Sequence, residues 1–169
     1  GPGVGGHCIS VDPWFFVEAA PELTPLIYHA RQVNDAQPHF VVELIQRALG
    51  SLRNKTIAAL GLAYKPDVDD FRESPALEVV QKLLDLGCEV RAYDPFARSL
   101  SAPGVRLAST LPEAVSGADL MILLVDHNEF KSLTPQSCFG MQAKKILDTR
   151  HCLDKARWQQ AGFELALLG

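Results

Sequence analysis

Long apolar runs and an excess of positive charge are both missing from this chain of 169 residues. Apolar runs such as LMILLV at 120–125 are far shorter than the roughly 20 residues that cross a bilayer. Lysine and arginine number 16 against 20 aspartates and glutamates, which gives a formal charge of -4. We therefore expect neither a membrane nor a nucleic acid as a partner.

Cysteine is also sparse, since four residues are too few for a disulfide-dense secreted scaffold. No basic segment followed by an apolar one, the pattern of a secretory leader, opens the chain. Both observations favour a reducing, cytoplasmic location. Three of the cysteines have the sequence context of small core residues, namely Cys88, Cys138 and Cys152.

Two ligand signatures are absent as well. The dinucleotide fingerprint G-x-G-x-x-G does not follow the first predicted strand, which runs instead into GLAYKPDVDDFRES at 61–74. Asp94 occupies the place where the ribose of NAD would be held, but the missing glycines argue against that role. The His-Cys pairs at 7–8 and 151–152 lack the spacing of a zinc site, so we predict no metal.

A long helical pattern is present from Thr24 to Leu49, where apolar residues recur at helical spacing until Gly50 ends them. Pro38 removes one backbone donor, so the pattern fits either one kinked helix or two pieces joined at Gln37. Its apolar positions are numerous enough to cover a second subunit as well as an internal core. We expect a homodimer formed through this helix.

Strands and helices alternate after Gly50. Ser74 followed by Pro75 predicts the start of a helix, and Thr110 with Glu113 forms a capping box that opens another. Continuous apolar strands separated by helices predict an α/β fold, a doubly wound, mostly parallel, Rossmann-like sheet. The predicted strands cover residues 56–64, 89–94, 119–125 and 144–150.

The carboxyl ends of these strands are the expected ligand edge, because parallel sheets of this kind bind ligands there. Two of the four ends carry a cation, at Tyr64-Lys65 and at Thr149-Arg150. Lys65 and Arg150 would suit an anionic ligand such as a phosphate.

The opening segment GPGVGGHCISVDPWF, residues 1–15, concentrates glycine before a cysteine. Glycine at this density is kept where a chain turns sharply or where something approaches the backbone closely, which predicts an open approach to Cys8. A stand-alone cysteine hydrolase or acyltransferase would pair Cys8 with His7 or His29. Adjacent His7 and Cys8 side chains are expected to point poorly at each other, which argues against that dyad.

Three motifs in this order resemble the UDP-glucose and GDP-mannose dehydrogenase family: GVGGHCISVDPWF at 3–15, ARQVND at 30–35 and GLAYKPDVDDFRESPA at 61–76. The Pro-Trp-Phe run at 13–15 is similar to the branch that oxidises UDP-N-acetylmannosamine. In the family, an N-terminal domain that binds NAD and carries further catalytic residues precedes these motifs. The resemblance therefore implies the carboxyl-terminal part of such an enzyme, inactive when alone, with NAD bound mainly by that other domain.

The resemblance also implies a reaction. The family oxidises a sugar C6 alcohol to a carboxylate in two hydride transfers. Cys8 would add to the intermediate aldehyde and carry a thiohemiacetal and then a thioester, and Asp12 would activate the hydrolytic water. Gly5 and Gly6 would let the sugar C6 come close to the sulfur.

Further site residues follow from matching positions. Arg72 matches a cofactor-contacting arginine, although the surrounding Asp67, Asp69, Asp70 and Glu73 would explain it equally as a local ion pair. Arg31 and Asn34 border the substrate in the resemblance, but a structural cap or an intersubunit bond is an alternative for both. The implied substrate-binding residues are Gly5, Gly6, Arg31, Asn34, Tyr64, Lys65 and Arg150.

We accordingly divide the chain into residues 1–50, with the catalytic cysteine loop and a central dimerisation helix, and residues 51–169, a UDP-sugar-binding Rossmann-like domain. The sequence leaves the sugar open. UDP-N-acetylglucosamine or UDP-glucose would serve as alternative substrates of the same chemistry. A nucleotide-sugar-binding module without catalysis is a further alternative.

Overall fold

A single parallel sheet forms the centre of the molecule in the computed structural model, which describes residues 1–97, 100 and 102–168. The strand order is β3-β2-β1-β4-β5-β6, and every neighbouring pair is parallel. The predicted Rossmann-like α/β sheet is confirmed. The strands are β1 (Thr56–Leu60), β2 (Glu89–Tyr93), β3 (Arg106–Leu107), β4 (Leu120–Leu123), β5 (Lys145–Asp148) and β6 (Glu164–Leu167).

The two central strands, β1 and β4, are almost entirely buried because helices cover both faces of the sheet. All four predicted strands are present but shorter than their apolar patterns. β1 ends at Leu60, not at residue 64, because the amides of Leu62 and Ala63 donate to the Asp94 carboxylate instead of continuing the ladder. The patterns at 89–94, 119–125 and 144–150 likewise extend past the strand ends.

Two edge strands were missing from the sequence prediction. β3 has only two residues, both exposed, and β6 alternates between exposed and buried positions. Neither has the continuous apolar run that identifies a strand covered on both faces. Edge strands of this kind leave little signal in the sequence.

Helix α2 is one continuous helix that passes through Pro38 without a break at Gln37. Because proline lacks an N–H, the carbonyl of Asn34 loses its helical partner there. Helix α1 carries no buried residue, and no sequence pattern predicted it. The helices are α1 (Asp12–Ala19), α2 (Pro25–Leu49), α3 (Pro75–Asp85), α4 (Leu111–Val115), α5 (Asn128–Lys131) and α6 (Lys155–Gln160), with 3-10 turns at Pro21–Leu23 and Pro135–Cys138.

The predicted helix starts are found with one correction. Thr110 Oγ1 accepts the Glu113 amide at 3.3 Å, and Glu113 Oε2 accepts the Ser109 amide at 2.8 Å, one residue earlier than in the ideal capping box. Ser74 stands at the N-cap position of α3 but does not cap it. Its hydroxyl donates to the Leu62 carbonyl at 2.6 Å and joins α3 to the loop after β1.

Two apolar clusters cover the sheet. Ile45 of α2 and Val79 of α3 belong to the cluster on one face, and Phe130 and Trp158 belong to the cluster on the other. Side chains of α2 therefore share one core with the sheet, although the predicted division of the chain at residue 50 lies between them. None of the helices in the described ranges combines the length and hydropathy needed to cross a membrane.

Candidate functional site

The glycine-rich segment that leads to Cys8 lies across α2 and the start of α3. The Asn34 side chain holds it through two bonds: Oδ1 accepts the Val4 amide at 2.7 Å, and Nδ2 donates to the Val4 carbonyl at 3.1 Å. The Gly6 amide donates to the Glu73 carbonyl at 3.4 Å. The backbone before Cys8 is therefore fixed from two sides. We call residues 3–12 the cysteine loop.

Gly5 and Gly6 have a packing reason to be glycine. A Cβ at Gly5 would lie 2.1 Å from the Glu73 carbonyl oxygen. Gly6 has a φ of +99°, and a Cβ there would lie 2.8 Å from the Tyr64 ring. These contacts within the chain explain why both positions are glycine. That a sugar approaches the two glycines stays a prediction.

Cys8 is exposed in an open cavity of about 180 Å³ lined by the cysteine loop and Tyr64. The His7 Nδ1 lies 3.1 Å from the Cys8 Sγ. The expectation that these neighbouring side chains point poorly at each other was wrong, because the two atoms lie within hydrogen-bonding distance. The Asp12 amide donates to the Cys8 carbonyl at 2.8 Å, and the Asp12 side chain is exposed at the start of α1.

The other three cysteines differ from Cys8 in environment. Cys88 and Cys138 are buried, as predicted, and Cys152 is half-buried. Burial raises the pKa of Cys88 to about 11 and the pKa values of Cys138 and Cys152 to about 12. These thiols are protonated at neutral pH and unreactive. Within the described part of the chain, no group of three His, Cys, Asp or Glu side chains could hold a metal ion.

Arg31 is buried on α2, where its guanidinium donates to the Ile9 carbonyl at 3.3 Å and pairs with Asp35. Arg31 and Asn34 also line a cavity of about 190 Å³ between the cysteine loop, α2 and the start of α3. Both residues make hydrogen bonds to backbone atoms of the cysteine loop, which agrees with the alternative of a structural role. Their predicted contact with substrate remains a prediction.

The predicted strand-end cations lie together. Lys65 and Arg150 line one narrow crevice of about 20 Å³ beyond the ends of β1 and β4, and the buried Pro2 lines it as well. Lys65 is exposed, with its Nζ 5.3 Å from the centre of the Tyr64 ring. The Arg150 Nε donates to the Asp126 carboxylate at 2.7 Å, and the guanidinium packs against Gly1.

Arg72 forms the local ion pair that was the alternative to a cofactor contact. Its Nε and terminal nitrogen lie 3.0 and 2.6 Å from the two Asp70 oxygens, although 65% of the Arg72 side chain is exposed. The hydrogen bonds from Arg72 lower the pKa of Asp70 to about 2. The contact with cofactor remains a prediction.

A buried polar network under the ligand edge was missed by the sequence reasoning. Asp94 Oδ2 accepts the amides of Leu62 and Ala63 at 2.7 and 3.2 Å and lies 3.1 Å from the His127 Nε2. His127 Nδ1 accepts the Asp67 amide at 2.9 Å, which places the ring proton on Nε2. The only available signal was that Asp94 and His127 both follow strands.

The electrostatics of Asp94 follow from this network. Burial acts to raise its pKa, but hydrogen bonds from His127 and from the amides of Leu62 and Phe96 outweigh it, so the pKa lies below its usual value. Both carboxylate oxygens are occupied, because Oδ1 accepts the Phe96 amide at 2.8 Å. The carboxylate is therefore committed to shaping the loop after β1 and is not free for a ribose.

Comparison with known proteins identifies relatives of the whole chain. Residues 58–155 match the UDP-binding domain of the UDP-glucose/GDP-mannose dehydrogenase family. The chain is 44% identical over its full length to a UDP-N-acetyl-D-mannosamine dehydrogenase from Methanocaldococcus jannaschii, covering 39% of that protein. It is 46% identical, over 89% of its length, to an NDP-N-acetyl-D-galactosaminuronic acid dehydrogenase from Ralstonia solanacearum, covering 35% of that protein.

Solved structures agree. The UDP-D-ManNAc dehydrogenase from Pyrococcus horikoshii superposes with a TM-score of 0.86 at 37% identity, over 99% of this chain and 39% of that one. The chain thus spans about two fifths of the length of the relatives that it matches. On the combined evidence of the sequence match and the shared fold, the chain belongs to the UDP-glucose/GDP-mannose dehydrogenase family.

Proposed function

We propose that the chain is the carboxyl-terminal part of an NAD-dependent UDP-N-acetylmannosamine 6-dehydrogenase. One observation carries the proposal: Tyr64 lines both the cavity that contains Cys8 and the crevice that contains Lys65 and Arg150. Cys8 therefore lies on one side of the Tyr64 side chain, and Lys65 and Arg150 lie on the other, at the carboxyl edge of the sheet. This arrangement suits a substrate with an anionic diphosphate at one end and a reacting carbon at the other.

In this proposal Lys65 and Arg150 hold the diphosphate through charge-assisted hydrogen bonds. The sugar extends past Tyr64 so that its C6 meets the sulfur of Cys8. The thiolate adds to the C6 aldehyde to give a thiohemiacetal, whose oxidation gives a thioester. Water, activated by Asp12, then releases the carboxylate and restores the thiol.

The two oxidations require a hydride acceptor, which we assign to NAD. The described residues do not fit an NAD site on this sheet, because the loop after β1 lacks the glycine fingerprint and Asp94 is occupied by Leu62, Ala63 and His127. We therefore place NAD on another domain of the whole protein. Arg72, exposed near Cys8, remains our candidate for a contact with it.

The relatives also bear on the substrate. Those named above act on N-acetylated sugars according to their names, and one matches the whole chain at 44% identity. A UDP-glucose dehydrogenase from Pyrobaculum islandicum is 28% identical, with a TM-score of 0.81. UDP-N-acetylmannosamine is our first choice, and UDP-N-acetylglucosamine or UDP-glucose the alternatives.

We also propose a homodimer formed through α2 in the cytoplasm. Large apolar side chains are exposed on α1 and on the first half of α2, including Phe15, Phe16, Leu26 and Val33. Such a patch marks an interaction surface. A reducing compartment fits the four free cysteines, of which Cys8 has to remain a thiol.

Calorimetric titration of the chain with UDP and with NAD tests the ligand assignment. UDP should bind more tightly than NAD, and Lys65→Ala or Arg150→Ala should weaken UDP by roughly ten- to a hundredfold, since each charge-assisted bond contributes about 1.5–3 kcal/mol. Cys8→Ser should leave UDP binding unchanged. The matched control is Lys144→Ala, which removes a lysine beside Phe139 and Phe163.

Binding of NAD without UDP, or parental UDP affinity in the Arg150 variant, would contradict the assignment. The chain alone should produce no NADH from UDP-N-acetylmannosamine, because the proposed NAD domain is elsewhere. Spectrophotometric detection of NADH from the chain alone would overturn that part of the proposal. The choice of sugar is tested by comparing UDP-N-acetylmannosamine, UDP-N-acetylglucosamine and UDP-glucose as substrates of the whole protein.

A further inference from the structure

His7 contacts Cys8, the one exposed thiol among the residues that the structure describes. Its Nδ1 lies 3.1 Å from the Cys8 Sγ, within hydrogen-bonding distance for sulfur, and both side chains are exposed to the cavity of the cysteine loop. The contact is between sequence neighbours, so its geometry depends on the backbone that carries them.

That backbone is held on both sides of the pair. Before it, the Gly6 amide donates to the Glu73 carbonyl, and the Ser10 hydroxyl returns to the Gly6 carbonyl. After it, the amides of Val11 and Asp12 donate to the Cys8 carbonyl at 3.0 and 2.8 Å. The cysteine loop is therefore a turn that presents the imidazole and the thiol side by side.

Charged groups on neighbouring elements also face the pair. The pKa of Asp70 is lowered first by its hydrogen bonds with Arg72 and to a smaller extent by His7. The pKa of Arg72 is raised first by Asp70 and to a smaller extent by Tyr64 and Cys8. Besides these groups, Asp12 lies at the start of α1. The Arg72 guanidinium and the Asp70 carboxylate are therefore the paired charged groups that face the cysteine loop from the loop after β1.

We infer that His7 is the proton acceptor of Cys8. The catalytic use of this pair rests on the proposed function, whereas the proton transfer itself is a property of the cysteine loop alone. Cys88, Cys138 and Cys152 have no histidine partner among their described hydrogen bonds and are kept as thiols by burial.

The step balances without another reactant. The Cys8 thiol proton moves to His7 Nδ1, and the sulfur lone pair forms a bond to the aldehyde carbon of the substrate. The carbonyl π electrons move to the oxygen, which takes the proton back from the imidazolium. The products are a neutral thiohemiacetal and a neutral imidazole, ready for the oxidation that follows.

The test is the rate at which iodoacetamide alkylates Cys8, measured by peptide mass spectrometry between pH 6 and pH 10 on the intact chain. The reagent reacts with the thiolate, and iodide leaves as the carbon–sulfur bond forms. In His7→Asn and His7→Ala the rate at pH 7 should fall by about tenfold or more, because the Cys8 thiol then has no proton acceptor and forms less thiolate. At pH 10 the variants and the parent should converge, because hydroxide then deprotonates the thiol.

Two variants make the outcome decisive. His7→Asn keeps a hydrogen-bonding group near the sulfur but no basic nitrogen, so a parental rate in this variant would overturn the inference. The matched control is His39→Asn on α2, whose histidine pairs with Glu43 at 3.3 Å and should leave the rate unchanged. An equal loss in that control would also overturn it. Because the assay uses neither nucleotide nor sugar, a failure of UDP binding would refute the proposed function and leave this result standing.

Discussion

The two halves of α2 have the same kind of sequence and opposite surroundings. In the second half, Val41 and Ile45 are completely buried against α3 and the sheet. In the first half, Leu26 and Val33 are 80% and 64% exposed, and the only buried residue before Pro38 is Arg31. One regular helix thus completes a core at one end and presents bare apolar surface at the other.

This difference shows what an apolar helical pattern does and does not specify. The spacing of apolar residues predicts a helix with a covered face. It does not say whether the cover comes from the same chain or from another surface. For α2, the sheet and α3 cover the second half. The first half, together with α1, is the surface that we assign to a second subunit.

The largest expected effect separates the two halves by stability. Ile45→Ala should lower the free energy of unfolding by about 2–5 kcal/mol, because it opens a cavity in a closed core. Leu26→Ala, the matched control at a position exposed in the single chain, should change it by less than about 0.5 kcal/mol when the protein is dilute enough to be monomeric. Chemical denaturation followed by circular dichroism measures both. Equal losses would show that the two halves of α2 are covered alike.

A smaller effect concerns association. Lysine at both Leu26 and Val33 should weaken self-association by about tenfold or more, about 1.4 kcal/mol, because charge then lies in the proposed interface. Analytical ultracentrifugation over a range of concentrations measures the dissociation constant. The control is Gln81→Lys, which places a charge at an exposed position of α3, outside the proposed interface. A parent that stays monomeric at high concentration would contradict the proposed dimer.

The smallest effect is on how the free energy of unfolding depends on pH in acid, and it concerns Asp94, which follows β2 in the sheet. The pKa of Asp94 lies below its usual value of 3.8, so its stabilisation is complete above that pH and is lost as the pH falls through the lowered pKa. Asp94→Asn should be less stable than the parent at pH 7, and the difference should shrink below about pH 4. Urea denaturation at pH 7, 4 and 3 checks this. A difference that is constant with pH would exclude Asp94 as the cause.

The part of the fold that could be predicted is the part where burial leaves a pattern. β1 and β4 lie under helices on both faces, so their sequences are continuously apolar, and α3 is marked by Ser74-Pro75 at its start. β3 and α1 bury no residue and have no such pattern. Covered elements can therefore be read from the sequence, whereas exposed ones depend on what lies next to them.

The candidate site divides in the same way. That Lys65 and Arg150 share one edge follows from the parallel sheet. The Asp94 and His127 network joins residues that are 33 positions apart, and only the strand order β2-β1-β4 places them together. The contact between His7 and Cys8 depends on the direction of two side chains in a glycine-rich turn, which residue types alone do not determine.

The outer strands of the sheet have a consequence for how copies of the molecule can meet. β3 is two residues long and carries the exposed Arg106, and β6 begins with Glu164, which lies 3.5 Å from Lys145. Short, charged edges of this kind resist the addition of a further strand from another molecule. Strand-to-strand growth, the route to aggregates, is thereby disfavoured at both sides of the sheet. Association between copies is then left to helical surfaces, and a two-fold contact of the kind that we propose for α2 closes on itself and does not propagate.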